Sequence, residues 1–561
     1  MVFAVGIFPR GAVAAPDILP LSEVRPGMEG EALTVFQGTT PEPFKIRVVS
    51  IVRDFLPHQD VILVRGADPR VEHTGIAAGM SGSPVYIQGK LVGAIAYGFS
   101  FSKEPLAGVT PIEAMLAQRG RKGKPATDVY SLAGMAGTSA AERGFAPVSI
   151  PLSVSGISEA ALRYLAEDLK TDHLVPMRAG GGGKVGDAKS ALVPGAAVGV
   201  TLIRGDMSAT AMGTLTVVDG NTVHAFGHPL FGAGVVNLPM VLGEVHTIIA
   251  SLATSTKLAS PLADVGRVTD DLKNGIVGVL HEQAGMIPLR IDFASEGTPL
   301  RPFAVEIARH RRMLPVFASA ALATALGEAF PDVTDAVVDV VTTISLRGMD
   351  PISIRDQVAA SDGFAPRILA MAHGPRVLGE LLGNPFAPAI IDGIRMQVGL
   401  TYRADGVEIV SVASPGDKVL SGRALPLRVL LRPYNGKEYL ETFAVELPPT
   451  LAGKMVKIEV ASGSVTKPQI AKPEDLKGFV DTLRMFHPAT SLVVSVGMGE
   501  SGVQMRGTLV RGLPVSAMDT ARPTRQTRRA EMFKVVGQTA FPVGKVVTGK
   551  QEITLQVLPA E

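Results

Sequence analysis

Gly79-Met80-Ser81-Gly82-Ser83-Pro84 sets a serine between two glycines and runs directly into an apolar hairpin. Small residues permit a tight turn that gathers backbone N–H groups around one point. That geometry stabilises the negative charge that develops during acyl transfer. Val85-Tyr86-Ile87, then Gln88-Gly89-Lys90, then Leu91-Val92-Gly93-Ala94-Ile95-Ala96-Tyr97 reads as strand, turn, strand. Residues 44–52 and 61–65 upstream read as strands, and 111–116 as a short helix with Thr110 as its cap. A Gly-x-Ser-Gly stretch is also an ordinary turn, so Ser81 needs a partner before it means chemistry.

Thr222-Val223-His224-Ala225-Phe226-Gly227-His228-Pro229-Leu230 supplies two histidines after a strand-like run at 214–218 and an Asp219-Gly220-Asn221 turn. His228, between Gly and Pro at a hairpin end, is the candidate general base, because imidazole titrates near neutral pH. The plainer alternative is a structural histidine at a strand end. His224 lies on the same strand face. No His-Glu-x-x-His pattern or acidic cluster accompanies the pair, so no metal is expected.

These two regions together resemble the SpoIVB-type sporulation serine peptidases. Thr74-Gly75-Ile76 through Val85, with Gly89 to Ala94, resembles the family's nucleophile region; Gly213-Thr214-Leu215-Thr216 through His228 resembles its histidine region. The resemblance spans roughly residues 20–120 and 195–290. It implies a trypsin-like double β-barrel with Ser81 as nucleophile, His228 as base and the backbone amides of Gly79 and Ser81 as the oxyanion hole. It also implies an acid in an Asp-Pro context, matched by Asp68-Pro69 at slightly shorter spacing; Asp206 is a rival, and either aspartate also suits a turn cap. In the family the histidine precedes the serine. Here the order is Asp68, Ser81, His228, which requires barrel halves exchanged along the chain or between two chains. The family's peptide-binding PDZ module has no counterpart in this sequence.

The 561 residues carry 54 basic and 52 acidic side chains, and no cysteine or tryptophan. Thiol catalysis, disulfides and thiolate metal sites are thereby excluded, and nothing marks nucleic acid as a partner. The basic run from Arg522 to Arg529 reads as a solvated loop. Gly180-Gly181-Gly182-Gly183-Lys184 lacks the spacing and the following Ser or Thr of a phosphate loop, and reads as a flexible connection. Apolar Val2 to Phe8 and the small-residue site Ala12-Val13-Ala14 resemble the tail of an export signal. No run approaches the ~20 apolar residues of a spanning helix. A periplasmic or secreted bacterial protein is expected.

The expected organisation is a tail at 1–19, a barrel half at 20–118 with Asp68 and Ser81, a linker at 119–145, and a barrel half at 146–299 with His228. An α+β domain follows at 300–403, then a β-sandwich-like domain at 404–465 and a mixed β region at 466–561. The order β-α-β-β-α-β over 300–403 predicts a ferredoxin-like module. The fold class is therefore mainly β with α+β: a trypsin-like double β-barrel in permuted order, followed by the two further modules. The expected function is an exported serine endopeptidase acting on a protein or peptide substrate without a cofactor. The alternatives are an inactive peptidase-like envelope scaffold that binds a partner through its C-terminal domains, and a self-processing protease.

Overall fold

A computed structural model describes residues 16–117, 145–170, 173–180, 192–295, 297–330, 335–360, 372–402, 406–470, 472–505, 508–511 and 527–559. The expected export stretch and most of the expected linker, glycine run and basic run lie outside these residues. The chain is mainly β. No described helix is long and apolar enough to cross a membrane.

Six strands come first: β1 (Glu29–Thr34), β2 (Glu42–Leu56), β3 (Gln59–Gly66), β4 (Pro84–Ile87), β5 (Lys90–Phe99) and β6 (Leu106–Pro111). Helix α1 (Pro69–Thr74) leads towards β4, and α2 (Ile112–Leu116) follows β6. All neighbours are antiparallel, and the order β1-β2-β3-β6-β5-β4 closes on itself through Glu31↔Tyr86 and Ala32↔Val85. Period-two patterning directs this closure. Phe44, Ile46 and Val48 of β2 are buried, and Lys45 and Arg47 between them are exposed. Gln88 (φ 53°) and Gly89 (φ 77°) both take the left-handed conformation that a two-residue hairpin turn requires.

β7 (Phe145–Pro147), β8 (Ile150–Ser155), α3 (Glu159–Asp168) and β9 (Leu174–Arg178) follow. Ser158 caps α3 through the Ala161 amide. A second set then repeats the first plan: β10 (Ala197–Gly205), β11 (Ser208–Asp219), β12 (Thr222–Ala225), β13 (Gly234–Ile249), β14 (Thr256–Leu272) and β15 (Gly275–Leu280). Their order, β10-β11-β12-β15-β14-β13, closes through β13 pairing with β10. Both rings therefore wind their six strands in one sequence of neighbours.

The expected ferredoxin-like strand order is corrected. β16 (Met286–Ser295) and β17 (Thr298–Pro299) lead into β18 (Phe303–Ala308), α4 (Met313–Ala329), β19 (Ala336–Leu346), β20 (Met349–Ala360), α5 (His373–Leu382) and β21 (Ile391–Thr401), and from β18 onwards the predicted β-α-β-β-α-β succession holds. However, the sheet runs β20-β19-β21-β16-β18-β10 and is continuous with the second ring. A ferredoxin-like sheet needs β18 beside β20 and β21. Instead β16, with Ile287, Leu289, Ile291 and Phe293 buried at alternate positions, takes both edges between β18 and β21. Helix α4 packs against α3 and this sheet; it carries no charged residue from Met313 to Leu326, and all of these but the half-buried Pro315 are buried.

The remaining strands form a two-layer sandwich. One layer holds Gly406–Ala413, Ala424–Pro433, Tyr439–Glu446 and Val546–Thr548. The other is built mainly from Met455–Ser462, Ser491–Met505, Thr527–Pro542 and Lys550–Leu558. Val407, Leu427 and Val429 share its core with Ile458, Val494 and Leu555. Residues beyond 465 thus complete the sandwich that the sequence divided there.

Candidate active site

In each ring the candidate residue sits between the third and fourth strands: Ser81 between β3 and β4, His228 between β12 and β13. The serine turn is built on Gly79 (φ 90°) and Gly82 (φ 95°). A Cβ on Gly82 would lie 1.9 Å from the Thr214 carbonyl oxygen and 2.5 Å from the Phe226 nitrogen, so only glycine lets the two rings meet here. β11 holds the carbonyl side of the turn. The Thr214 amide donates to the Ser81 oxygen (2.8 Å), Thr214 Oγ1 to the Gly79 oxygen (2.9 Å), and Thr216 Oγ1 to the Gly82 oxygen (2.8 Å). Ser81 is fully buried, and its Oγ has no hydrogen-bond partner.

Two consecutive left-handed residues, Phe226 (φ 71°) and Gly227 (φ 70°), turn the chain off β12. A positive φ is strained for phenylalanine. Its ring is anchored over Gly213, where any Cβ would come within 2.4 Å of it. Thr110 Oγ1 donates to the Gly227 oxygen (2.7 Å) across the ring junction, so Thr110 serves this loop, and Pro111 stands at the N-cap of α2. His228 Nδ1 lies 2.9 Å from the Pro229 oxygen. A carbonyl acceptor there keeps the proton on Nδ1 and leaves Nε2 as the basic nitrogen. Nε2 is buried and has no partner. Burial pulls the imidazole down to about 4, with nearby His173 adding to this and the Pro229 and Val148 carbonyls opposing it. The ring is therefore neutral at pH 7, the state a general base requires. Oγ and Nε2 are two buried, unpaired polar atoms on loops that pack against each other. Leaving such groups unsatisfied costs about 1–3 kcal/mol each, so the loops hold both atoms in place at a cost in stability.

Asp68 is placed elsewhere. It caps α1, accepting from the Arg70 amide (2.9 Å) and pairing with the Arg70 guanidinium (3.1 Å). That guanidinium holds its carboxyl below the usual range. Asp206 accepts from the Ala304 amide (2.7 Å) and from Arg301 (3.1 Å), beside β18. The position beside Nδ1 that either aspartate was expected to fill is taken by the Pro229 carbonyl. Of the expected oxyanion amides, that of Gly79 donates to the Ser149 oxygen (3.2 Å), whereas that of Ser81 donates to no backbone carbonyl among the described residues. His224 is buried within β12, and the described residues hold no cluster of metal-ligating side chains.

Two residues that sequence reasoning passed over support the site. Asp271, buried at the end of β14, accepts from the amides of Leu230 (2.8 Å), Phe231 (2.7 Å) and Ala233 (3.2 Å), fixing the loop after His228. Lys257 is buried with its stem against Gly79; its Nζ donates to Thr34 Oγ1 (2.6 Å) and reaches Thr214 Oγ1 (3.5 Å). Burial pulls its ammonium down to about 7.

These burials predict acid sensitivity. His228 (about 4) and His310 (about 3) bind their proton far more weakly folded than unfolded, where the ordinary value is 6.5. Below pH 6.5 the unfolded chain therefore takes up protons that the folded chain refuses, and stability falls as pH drops towards 4. The slope is about 1.4 kcal/mol per pH unit for each histidine. Lys257 acts in a higher window: its contribution falls from pH 10.5 to 7 and is level below. Urea unfolding of wild type and His310→Phe at pH 7 and 4.5 checks this. The variant should lose less stability on acidification; equal losses would contradict the account.

The SpoIVB peptidase S55 family model matches residues 15–116, the stretch that forms the first ring and carries Ser81. This match supports a serine peptidase. No curated protein matches the chain, and no solved structure does.

Proposed function

We propose that this chain is an exported serine endopeptidase, with two trypsin-like barrels joined in permuted order and with Ser81 and His228 as the reacting pair. The observation that carries the reading is topological. Two closed rings share one strand order, each offers its reactive side chain between its third and fourth strands, and the two loops pack together. Ser81 Oγ bonds to the scissile carbonyl carbon as its proton passes to His228 Nε2. The C–N bond then breaks, the proton goes to the leaving amine, and water repeats the sequence to free the acid. The Gly79 and Ser81 amides stabilise the oxyanion once the Ser149 carbonyl has left. Asp68 contributes through α1, which leads into the nucleophile turn. Export rests on the apolar Val2 to Phe8 and the small-residue site that follows.

The inactive-scaffold reading draws on the missing Oγ–Nε2 hydrogen bond and the occupied Gly79 amide. Prolonged incubation with a fluorophosphonate separates the two. Wild type should become labelled and Ser81→Ala should not; equal labelling of both removes Ser81 as nucleophile. A gel time course of the purified chain, wild type against Ser81→Ala, reads self-processing directly.

A further inference from the structure

The chain between the two rings crosses the site. β7 belongs to neither ring; it pairs antiparallel with the end of β5, through Tyr97↔Pro147 and Gly98↔Ala146. The pairing continues into Val148, whose amide donates to the Ala96 oxygen (2.8 Å). One residue further, the Ser149 oxygen accepts from the Gly79 amide. The Val148 carbonyl faces the His228 ring, and Val148 is only 5% exposed. Four consecutive residues therefore engage the sheet edge, the histidine and the amide beside the nucleophile. A peptide that adds to a free sheet edge uses these main-chain bonds, and an acyl substrate needs that amide.

We infer that Ala146–Ser149 is a built-in occupant of the peptide cleft, and that the substrate is an extended polypeptide that replaces it along β5, with a compact aliphatic side chain where Val148 sits. This rests on the peptidase reading above. The occupant blocks the site and is not itself cut. The carbonyl on the Gly79 amide belongs to Ser149, but the residue paired with Ala96 is Val148, whose carbonyl turns to the imidazole instead. Ser81 Oγ is left unpaired and walled in. A cleft lined by Phe99, Phe101, Pro147, Val148 and Leu252 flanks β7, and Phe101 (75% exposed) and Leu252 (95% exposed) offer apolar contact to a longer chain.

The test compares the rate of fluorophosphonate labelling at Ser81 in wild type, Val148→Asp and Ala146→Pro. The first variant puts a charge in the buried Val148 position. The second removes the backbone donor opposite Gly98 and disturbs no buried side chain, so it carries the test if Val148→Asp fails to fold. If most wild-type molecules are closed, either folded variant should label at least about tenfold faster. The peptide acetyl-Phe-Ala-Pro-Val-anilide should slow that labelling and be hydrolysed. Folded Ala146→Pro labelling at the wild-type rate overturns the occupant and leaves the peptidase reading standing. No labelling of any of the three overturns both.

Discussion

His228→Gln should slow acylation of Ser81 by on the order of 10²–10⁴-fold at pH 7, the usual loss when a positioned base is removed. Its Nδ1 faces the Pro229 carbonyl and its Nε2 has no hydrogen-bond partner. The imidazole is thus held as a neutral base with one nitrogen reserved. Glutamine keeps a donor for Pro229 but has no basic nitrogen. The folded loop should survive, because it is fixed by Asp271, Thr110 and the buried Phe226 ring and not by the imidazole. Labelling time courses with matched thermal melts separate chemistry from folding. An unchanged rate would mean that the histidine is structural.

Gly82→Ala should destabilise the chain by at least about 3 kcal/mol, combining backbone strain with lost buried hydrogen bonds. The new methyl would meet the backbone of Thr214 and Phe226, neither of which is the yielding end of a side chain, at a residue with φ 95°. Relief requires the serine turn to withdraw from β11, breaking the bonds from Thr214 and Thr216. Gly89→Ala is the control. It has φ 77° and nothing within 4 Å of a new Cβ, so only strain is added, about 1 kcal/mol. Equal midpoints for the two variants in urea would contradict the role given to the ring junction.

The serine hairpin was legible because period-two patterning and a Gln-Gly turn are local signals. The acid was not. Asp68 before Pro69 is equally an N-cap signal, and that local use prevailed, with Arg70 two residues on completing the pair. Lys257 sits in an ordinary strand sequence; that it is buried beside Gly79 depends on a partner 178 residues away, and its bond to Thr34 spans 223. The pairing of β16 with β18 and β21 was lost for the same reason. Alternation tells which face is buried but not which edge is taken. β7 has three residues and no periodicity, so its place along β5 could emerge only from the fold.

Peptide mapping of the fluorophosphonate adduct tests the central claim most directly. The added mass should fall on the tryptic peptide of residues 71–90, fragmenting to Ser81, retained in Ser83→Ala and lost in Ser81→Ala. Ser83 is the demanding control, since its Oγ is also buried and unpartnered. An adduct on Ser83 or outside 71–90, or no adduct after prolonged exposure, would contradict it.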